Sequence, residues 1–183
     1  NWIAAIESLI GFLSFAIAAG LLYGRFSRPR SFIRFSDSLV FANYRQGKAL
    51  MFRLVCYKDD HLLTNAEVKL NARIVTKNEG YQFFNLKLER SHVDSLVLNW
   101  TVVHPIDEDS PFFNLSQKEI VNLQPEISAD LTGFDEVYSS VVVARVSYAI
   151  KDFKFGFKFL PMYFGRNQRT ELDLSKLNLI DQE

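Results

Sequence analysis

The clearest group of potentially catalytic side chains in the sequence is a short acidic segment. His104 is followed by Asp107, Asp109 and Ser110, which together supply the residue types of a Ser-His-Asp triad. Closeness in sequence does not give triad geometry, because the three groups must converge in space. The run Asp-Glu-Asp-Ser-Pro is more typical of a turn whose acids accept hydrogen bonds from backbone N–H groups. We therefore predict that this segment is structural and that the chain is not an enzyme.

The sequence contains no other pattern of reactive or metal-binding residues. His61, His92 and His104 fall in different predicted turns or strand ends, and no pair of them has the spacing of metal ligands. The single cysteine, Cys56, provides no disulfide, as expected of a reducing compartment. No glycine-rich phosphate loop or nucleophile elbow is present. We predict no metal site and no cofactor.

Glu7 is the one charged residue in the apolar segment 2–23. An ionisable group within a membrane span is a functional candidate, because exposing it to lipid costs several kcal/mol. The alternative is that Glu7 lies near the outer headgroups and is simply hydrated. Both interpretations remain open at the level of the sequence.

A cluster of arginines follows this apolar segment directly, without an acid before Ser36: Arg25, Arg28, Arg30 and Arg34. Basic residues just inside a membrane attract anionic headgroups, by about 1 kcal/mol for each residue. Lys and Arg close to a helix end are also retained on the cytoplasmic side, so membrane topology alone would produce such a cluster. We predict that residues 25–183 are cytoplasmic. The whole chain has 21 basic and 21 acidic residues, which gives no indication of nucleic-acid binding.

The segment 2–23 predicts a transmembrane helix, because about 20 mainly apolar residues cross a hydrocarbon core of about 30 Å. A signal peptide would place its bases before a shorter apolar run, and a buried helix of a soluble domain is the other alternative. Pro29 should end the helix, because the residue before a proline avoids the helical region. Small residues such as Gly11 and Gly20 indicate close packing against neighbouring helices. A four-residue repeat defines a stripe that would face a partner or a lumen: Glu7, Gly11, Phe15, Ala19 and Tyr23.

Beyond Pro29 the hydrophobic period becomes alternating, which indicates strands with one buried face. Three alternating runs and five shorter segments are candidate strands: residues 68–74, 96–102 and 142–148, and residues 38–42, 49–57, 81–88, 126–131 and 154–159. Turns are predicted at residues 46–47, 78–80 and 131–133. A capping box of Ser116 and Glu119 predicts a helix over Gln117–Asn122, and a short helix is predicted from Ser175. About eight short strands favour an all-β sandwich.

Several stretches resemble the inwardly rectifying potassium channels, and most closely their bacterial KirBac branch. Residues 20–30, Gly-Leu-Leu-Tyr-Gly-Arg-Phe-Ser-Arg-Pro-Arg, resemble the end of that family's inner helix. Residues 104–112 are very similar to its His-x-Ile-Asp-Glu-Asp-Ser-Pro signature, which is the most specific match. Residues 50–53, 144–148 and 155–159 resemble its early strand and its Ala-Arg-x-Ser-Tyr and Trp-Gly-x-Arg-Phe segments.

The resemblance implies an inner transmembrane helix followed by an immunoglobulin-like, all-β sandwich in the cytoplasm. Residues 1–24 would form the helix, residues 25–36 a basic linker at the membrane surface and residues 37–183 the sandwich. The family's slide helix, outer helix, pore helix and selectivity filter do not occur in this sequence. Filter carbonyls replace the hydration shell of K⁺, so we expect this chain to be the C-terminal part of a longer channel.

Roles in the pore are implied for three positions by the same resemblance. Gly11 matches an inner-helix glycine proposed as a hinge, and glycine weakens a helix where it allows a bend. Phe15 stands where strong rectifiers carry an acid that binds polyamines and Mg²⁺, so rectification from this site should be weak. Tyr23 matches a narrow apolar gate, which would close by steric blockage and dewetting.

Arg25, Arg28 and Arg30 match the family's phosphoinositide-binding elbow, where guanidinium groups pair with phosphates. Asp152 aligns with one ring of acids in the cytoplasmic pore. The companion ring falls near Tyr81 or Gln82 and lacks an acid, so polyamine binding there should also be weak. Asn65 replaces an acid in a strand that forms subunit contacts.

The implied protein is a homotetrameric channel in the plasma (inner) membrane, with K⁺ as the permeant ion and anionic lipids as modulators. The resemblance also implies the wider class of voltage-gated channels. Related eukaryotic channels are opened by phosphoinositide and bacterial ones are thought to be inhibited, so the sign of the lipid effect stays open. The alternative is a single-pass, membrane-anchored β-sandwich that binds a partner protein.

Overall fold

The computed structural model describes residues 2–26, 29–58, 60–76, 80–166 and 169–183. The chain divides into two compact units, residues 1–30 and residues 31–183. The first unit consists of helix α1, Trp2–Phe26, which is 25 residues long and unbroken at Gly11. Arg25 lies in its last turn, where a positive charge interacts favourably with the helix dipole. The predicted helix is therefore present, and Pro29 follows its end.

The second unit is built almost entirely from strands. In chain order its elements are β1 (Ile33–Phe35), β2 (Leu39–Tyr44), β3 (Gly47–Cys56), β4 (Leu63–Thr76), β5 (Gly80–Leu86), β6 (His92–Leu96), β7 (Trp100–Pro105), α2 (Gln117–Asn122), β8 (Glu126–Asp135), β9 (Ser140–Tyr148), β10 (Phe153–Phe155), β11 (Phe157–Phe159), β12 (Tyr163–Arg166), β13 (Arg169–Leu172) and β14 (Ile180–Gln182). Single turns of 3-10 helix cover Ile150–Asp152 and Leu174–Lys176.

Two five-stranded sheets carry the fold. In the first sheet β3 pairs antiparallel with β1, β2 and β7, and β10 adds to β2 in parallel. In the second sheet β4 pairs antiparallel with β5, β6 and β8, and β9 pairs with β8. Two small ribbons, β11 with β14 and β12 with β13, complete the described strands.

One hydrophobic core joins the inner faces of the two sheets. Leu50, Phe52 and Leu54 project into it from β3, and Ile127 and Leu131 project into it from β8. Alternate residues of β8 are buried because successive side chains of a strand point to opposite faces, whereas β3 is buried on both faces from Ala49 to Val55 apart from the partly exposed Met51. The predicted all-β sandwich is confirmed.

Two predicted strands are wrong in their extent. The alternating run 96–102 belongs to two strands, because the chain leaves the second sheet after Leu96 and enters the first sheet at Trp100. Val97, in the crossing, is 70% exposed. The run 154–159 is divided between β10 and β11 by Gly156, whose φ of 72° needs the left-handed region that glycine enters at low cost.

The turn predicted at residues 131–133 is also wrong, because β8 continues to Asp135 and Gly133 pairs with Val142 of β9. The turn at residues 46–47 is confirmed between β2 and β3, with Arg45 at φ 53°. The turn at residues 78–80 lies mostly outside the described residues.

The capping box at the start of α2 is confirmed by its hydrogen bonds. The Ser116 side chain accepts from the Glu119 backbone N–H, and the Glu119 carboxylate accepts from the Ser116 backbone N–H. The helix predicted from Ser175 is limited to the turn Leu174–Lys176 and is followed by β14.

Candidate functional site

The predicted pore stripe lies along α1, and all of its side chains are exposed: Glu7, Gly11, Phe15, Ala19 and Tyr23. Residues four apart advance by about 40° around a helix, so the stripe is a row inclined to the helix axis by about 26°. A row inclined in this way faces one straight axis along its whole length only when the helix itself is tilted against that axis by a similar angle. Phe15 and Tyr23 are 73% and 76% exposed, so both rings are available to contacts outside this chain.

Helix α1 is long and apolar enough to cross a membrane. Its span Trp2–Arg25 has a mean hydropathy of 2.0, and none of its most apolar window is buried. Water around so large an apolar surface costs about 25 cal/mol for each Å². So large an apolar surface favours a membrane-spanning helix over a buried helix of a soluble domain.

Two of the three predicted lipid-binding arginines can be located. Arg25 and Arg30 are exposed, and neither forms an ion pair with a carboxylate in the part of the chain that the structure describes. Arg28 lies outside the described residues. Arg34 lies in β1, with its guanidinium 4.6 Å from the centre of the Tyr57 ring. Arg25 and Arg30 thus have charge available for an external anion, whereas Arg34 has an aromatic partner.

An aromatic cluster is centred on Phe32, which follows this basic segment in the sequence. The Phe32 ring lies 4.3 Å from the ring of His61, 5.7 Å from Tyr57 and 6.2 Å from Tyr138, measured between ring centres. Lys58 places its ammonium 4.7 Å from the centre of the same ring. Phe32 therefore joins the start of the second unit to the β3–β4 and β8–β9 connections.

A buried His-Asp pair lies against this cluster, and the sequence alone did not reveal it. His61 Nδ1 lies 2.8 Å from Asp135 Oδ2, and the exposed fractions of the two side chains are 5% and 1%. Asp135 Oδ1 also accepts from the backbone N–H groups of Val137 and Tyr138, at 2.9 and 3.0 Å. Burial by itself raises the pKa of the Asp135 carboxyl. The hydrogen bonds from Tyr138, His61 and Val137 outweigh burial and hold the pKa below its usual value.

The acidic signature forms the predicted turn and holds no catalytic triad. His104 Nδ1 donates to the Lys87 carbonyl oxygen at 2.6 Å, so Nε2 is left to accept from the Ser110 hydroxyl at 2.9 Å. Asp107 Oδ1 accepts from the Asp109 backbone N–H at 3.2 Å. The group that orients His104 is thus a carbonyl, while Asp107 caps the turn. Burial lowers the pKa of His104, and the bond to Lys87 and the charge of Asp107 oppose this only in part.

Ser36, close to the basic segment, is fixed by buried hydrogen bonds. The Tyr148 hydroxyl donates to the Ser36 carbonyl oxygen at 2.8 Å, and the Arg53 backbone N–H donates to the Ser36 hydroxyl at 3.0 Å. The Arg53 guanidinium donates to Thr101 Oγ1 and the Leu160 carbonyl, and burial lowers its pKa to about 10. These contacts tie the start of the second unit to both sheets.

The predicted acid of the cytoplasmic pore has a local structural role as well. Asp152 is half-buried, and its Oδ2 accepts from the Ala149 backbone N–H at 2.9 Å, which caps the turn Ile150–Asp152. The position expected to carry the companion ring is occupied by Tyr81, whose ring centre lies 4.5 Å from the Arg73 guanidinium. Gln82 follows it in β5.

The backbone conformation at position 65 explains why this residue is an asparagine. It has φ 49° and lies where the register between β4 and β8 shifts, between Thr64 and Glu67. Asparagine enters the left-handed region more readily than most residues other than glycine. A bulge in β4 therefore accounts for a small polar residue at this position.

The chain is similar to known proteins of one family. The family described as inward rectifier potassium channel C-terminal domain matches residues 33–182. Inward rectifier potassium channel Kirbac3.1 of Paramagnetospirillum magnetotacticum is 32% identical over 187 residues, which cover 100% of this chain and 63% of that protein.

Two further relatives are more distant. G protein-activated inward rectifier potassium channel 2 of Pongo abelii is 24% identical over 94% of this chain and 43% of its own length. ATP-sensitive inward rectifier potassium channel 12 of Gallus gallus is 24% identical over 95% of this chain and 43% of its own length. The chain therefore spans less than two thirds of each of these relatives.

These matches confirm the resemblance drawn from the sequence and the prediction that the chain is not an enzyme. They give no support to the wider class of voltage-gated channels, because the relatives are named as inward rectifiers.

Proposed function

We infer that this chain, which belongs to the inward rectifier potassium channel family and to its bacterial-like branch, is a subunit of a membrane channel that conducts K⁺. The family match over residues 33–182 is the observation that carries the proposal. Helix α1 supports it, because its span is long and apolar enough to cross a membrane. The chain spans 63% of the length of Kirbac3.1, so conduction by the whole protein is part of the proposal.

In the proposed channel a homotetramer places copies of α1 around the pore, with the stripe from Glu7 to Tyr23 towards the axis. Gly11 allows the helix to bend, and the Tyr23 rings narrow the cytoplasmic end of the path. An apolar constriction of this kind closes by excluding water as well as by steric blockage. The exposure of both large rings, at Phe15 and Tyr23, supports this assignment.

Anionic lipid modulates the gate in this proposal through Arg25, Arg28 and Arg30. The second unit lies on the cytoplasmic side of the plasma (inner) membrane, because the arginines follow the end of the span. Lipid bound at the elbow favours one of two arrangements of the gate by its different affinity for them. The guanidinium groups of Arg25 and Arg30 are exposed and form no ion pair within the described ranges of the chain, which supports lipid contact in this region.

Rectification by this channel is weak in the proposal. Phe15 has no charge with which to hold a polyamine or Mg²⁺ in the pore. Asp152 contributes an acid to the cytoplasmic part of the pore, but one of its oxygens already accepts from Ala149. Substitution Asp152→Asn removes the charge and retains an oxygen for this bond, so any change in rectification would report charge and not folding.

K⁺ efflux from liposomes tests conduction and the gate together. We expect efflux from liposomes that hold the protein containing this chain, and higher basal efflux from the variant Tyr23→Ala. The matched control is Leu22→Ala, which removes a neighbouring apolar side chain outside the stripe. Absence of K⁺ flux in every lipid composition would contradict the channel, and equal effects of both substitutions would contradict a gate at Tyr23.

The lipid proposal is tested by the double variant Arg25→Gln with Arg30→Gln. Its response of K⁺ efflux to anionic lipid should weaken, because each basic residue near the surface contributes about 1 kcal/mol. The exposed Arg90 in the β5–β6 connection provides a control that removes one charge, to be compared with the single variants Arg25→Gln and Arg30→Gln. A loss of the lipid response in Arg90→Gln as well would argue for a general charge effect.

Crosslinking in mild detergent separates the channel from an anchored interaction module. A homotetramer is expected for the pore, whereas a monomer would favour the anchor. Substituting Gly20, which lies outside the stripe, with a bulky residue should weaken the assembly, because close packing of membrane helices depends on small residues.

A further inference from the structure

A cavity of about 680 Å³ lies in the second unit, and none of its lining residues belongs to the stripe or to the basic segment. Its volume falls within the usual range of small-molecule sites, roughly 300–1,000 Å³. It is lined by β2, β3, the signature turn, α2 and the β10–β11 connection. The lining thus comes from segments that are distant in the sequence, which is why no motif indicated it.

The wall of the cavity is aromatic and fixed by ring contacts. Phe41 packs edge-to-face with Phe112 at 5.9 Å and stacks on Phe155 at 4.7 Å, measured between ring centres. Phe112 and Ile120 are 1% and 3% exposed, so they belong to the core as well as to the wall. A wall held in this way needs no rearrangement to receive an apolar body.

Charge is confined to the rim. Lys48 is exposed and forms no ion pair with a carboxylate of the described residues. Glu183 also lines the rim, but its Oε2 accepts from the Asn43 backbone N–H at 3.0 Å. Among the residues that the structure describes, Lys48 is therefore the rim charge without an ion-pair partner, whereas the Glu183 carboxylate already accepts a hydrogen bond.

We propose that this cavity binds a small carboxylate with an aromatic or aliphatic body. The apolar body lies against Phe113, which is 38% exposed, and the partly exposed Phe155, and the carboxylate accepts from the Lys48 ammonium. A charge-assisted hydrogen bond of this kind is stronger than a neutral one. Because the partly exposed Ile106 of the signature turn also lines the cavity, the bound molecule contacts the segment that most clearly marks the family. The proposed site contains no residue of the pore stripe or of the predicted lipid-binding arginines.

Binding is tested on the whole chain in lipid nanodiscs by saturation-transfer NMR, with empty nanodiscs to subtract partition into lipid. The probes are 3-phenylpropionate, its neutral amide and 3-phenylpropylamine. We expect the carboxylate to bind most tightly and Lys48→Gln to weaken it roughly tenfold while leaving the amide unchanged. Glu183→Gln should strengthen carboxylate binding, because it removes a like charge from the rim.

A bulky side chain at the rim distinguishes binding in the cavity from nonspecific binding at the surface. Gln117 is exposed and lines the cavity, so Gln117→Trp should abolish binding without disturbing the core. Lys118→Trp, at the next position and outside the lining, is the matched control and should bind as the original chain does. The proposal fails if the amide or the amine binds as tightly as the carboxylate, or if Gln117→Trp leaves binding intact.

Discussion

Replacing Asp135 should destabilise the sandwich far more than replacing a surface carboxylate of the same strand. Its two oxygens satisfy His61 and two backbone N–H groups, all in a site that is 1% exposed. A buried donor left without its acceptor costs about 1–3 kcal/mol, so with three such donors we expect a loss of at least about 3 kcal/mol for Asp135→Ala. Asp135→Asn keeps an oxygen for the two N–H groups, and we expect it to lose about 1–3 kcal/mol.

The free energy of unfolding can be measured in this protein by urea titration with tryptophan fluorescence. The chain has two tryptophans, of which Trp100 is buried in the sandwich and Trp2 is 87% exposed on α1. A Trp2→Phe background therefore makes Trp100 the reporter of the second unit. Asp130→Asn is the matched control, because Asp130 lies on β8 and pairs with the exposed Arg145. A surface pair of this kind contributes at most about 1 kcal/mol.

The pH dependence gives an independent check on the same carboxyl. The folded pKa of Asp135 lies below its unfolded value, so its contribution is fully present above about pH 4 and declines as the pH falls through the folded pKa. The stability difference between the original chain and Asp135→Asn should decrease in that range. Equal losses in Asp135→Ala and Asp130→Asn would refute the reasoning, as would a difference that does not depend on pH.

Three further predictions follow from buried groups and one glycine. The folded pKa of His104 lies below its unfolded value of about 6.5, so the neutral imidazole stabilises the fold above that pH. The free energy of unfolding should therefore decrease as the pH falls towards the folded pKa. His104→Gln should reduce this dependence on pH in urea titrations at several pH values. Tyr148→Phe removes the hydrogen bond to Ser36 and should lower the free energy of unfolding by about 0.5–1.5 kcal/mol, whereas a change below about 0.3 kcal/mol would show that the bond is replaced by water. Gly156→Ala should cost about 1–2 kcal/mol because of its positive φ, while Gly165→Ala, at a glycine without a positive φ, is the control in the same titration.

Local patterns were enough to predict the elements whose causes lie within a few residues. The apolar segment before Arg25 predicts α1, and the reciprocal bonds of Ser116 and Glu119 follow from their spacing. The turn formed by Asp107 is of the same kind, because its acceptor and donor are two residues apart. Each of these signals depends on short-range geometry that the sequence displays directly.

Interactions between distant segments could not be predicted in this way. His61 and Asp135 are 74 residues apart in sequence, and only the pairing of β4 with β8 brings them together. The run 96–102 keeps one alternating pattern although its residues pass from one sheet to the other. Periodicity reports which side chains are buried, and it does not report against which sheet they are buried.

The parallel pairing of β10 with β2 bears on how the protein is synthesised. β2 leaves the ribosome early, and its partner β10 emerges only after most of the domain has been translated. Until then one edge of β2 is unpaired, and an unpaired edge is a template for strands of other chains. Long-range pairing of this kind is also slow to form. In the proposed channel, nascent chains that assemble through α1 would compete for this edge, so the speed of translation between β2 and β10 should influence the yield of correctly folded subunits.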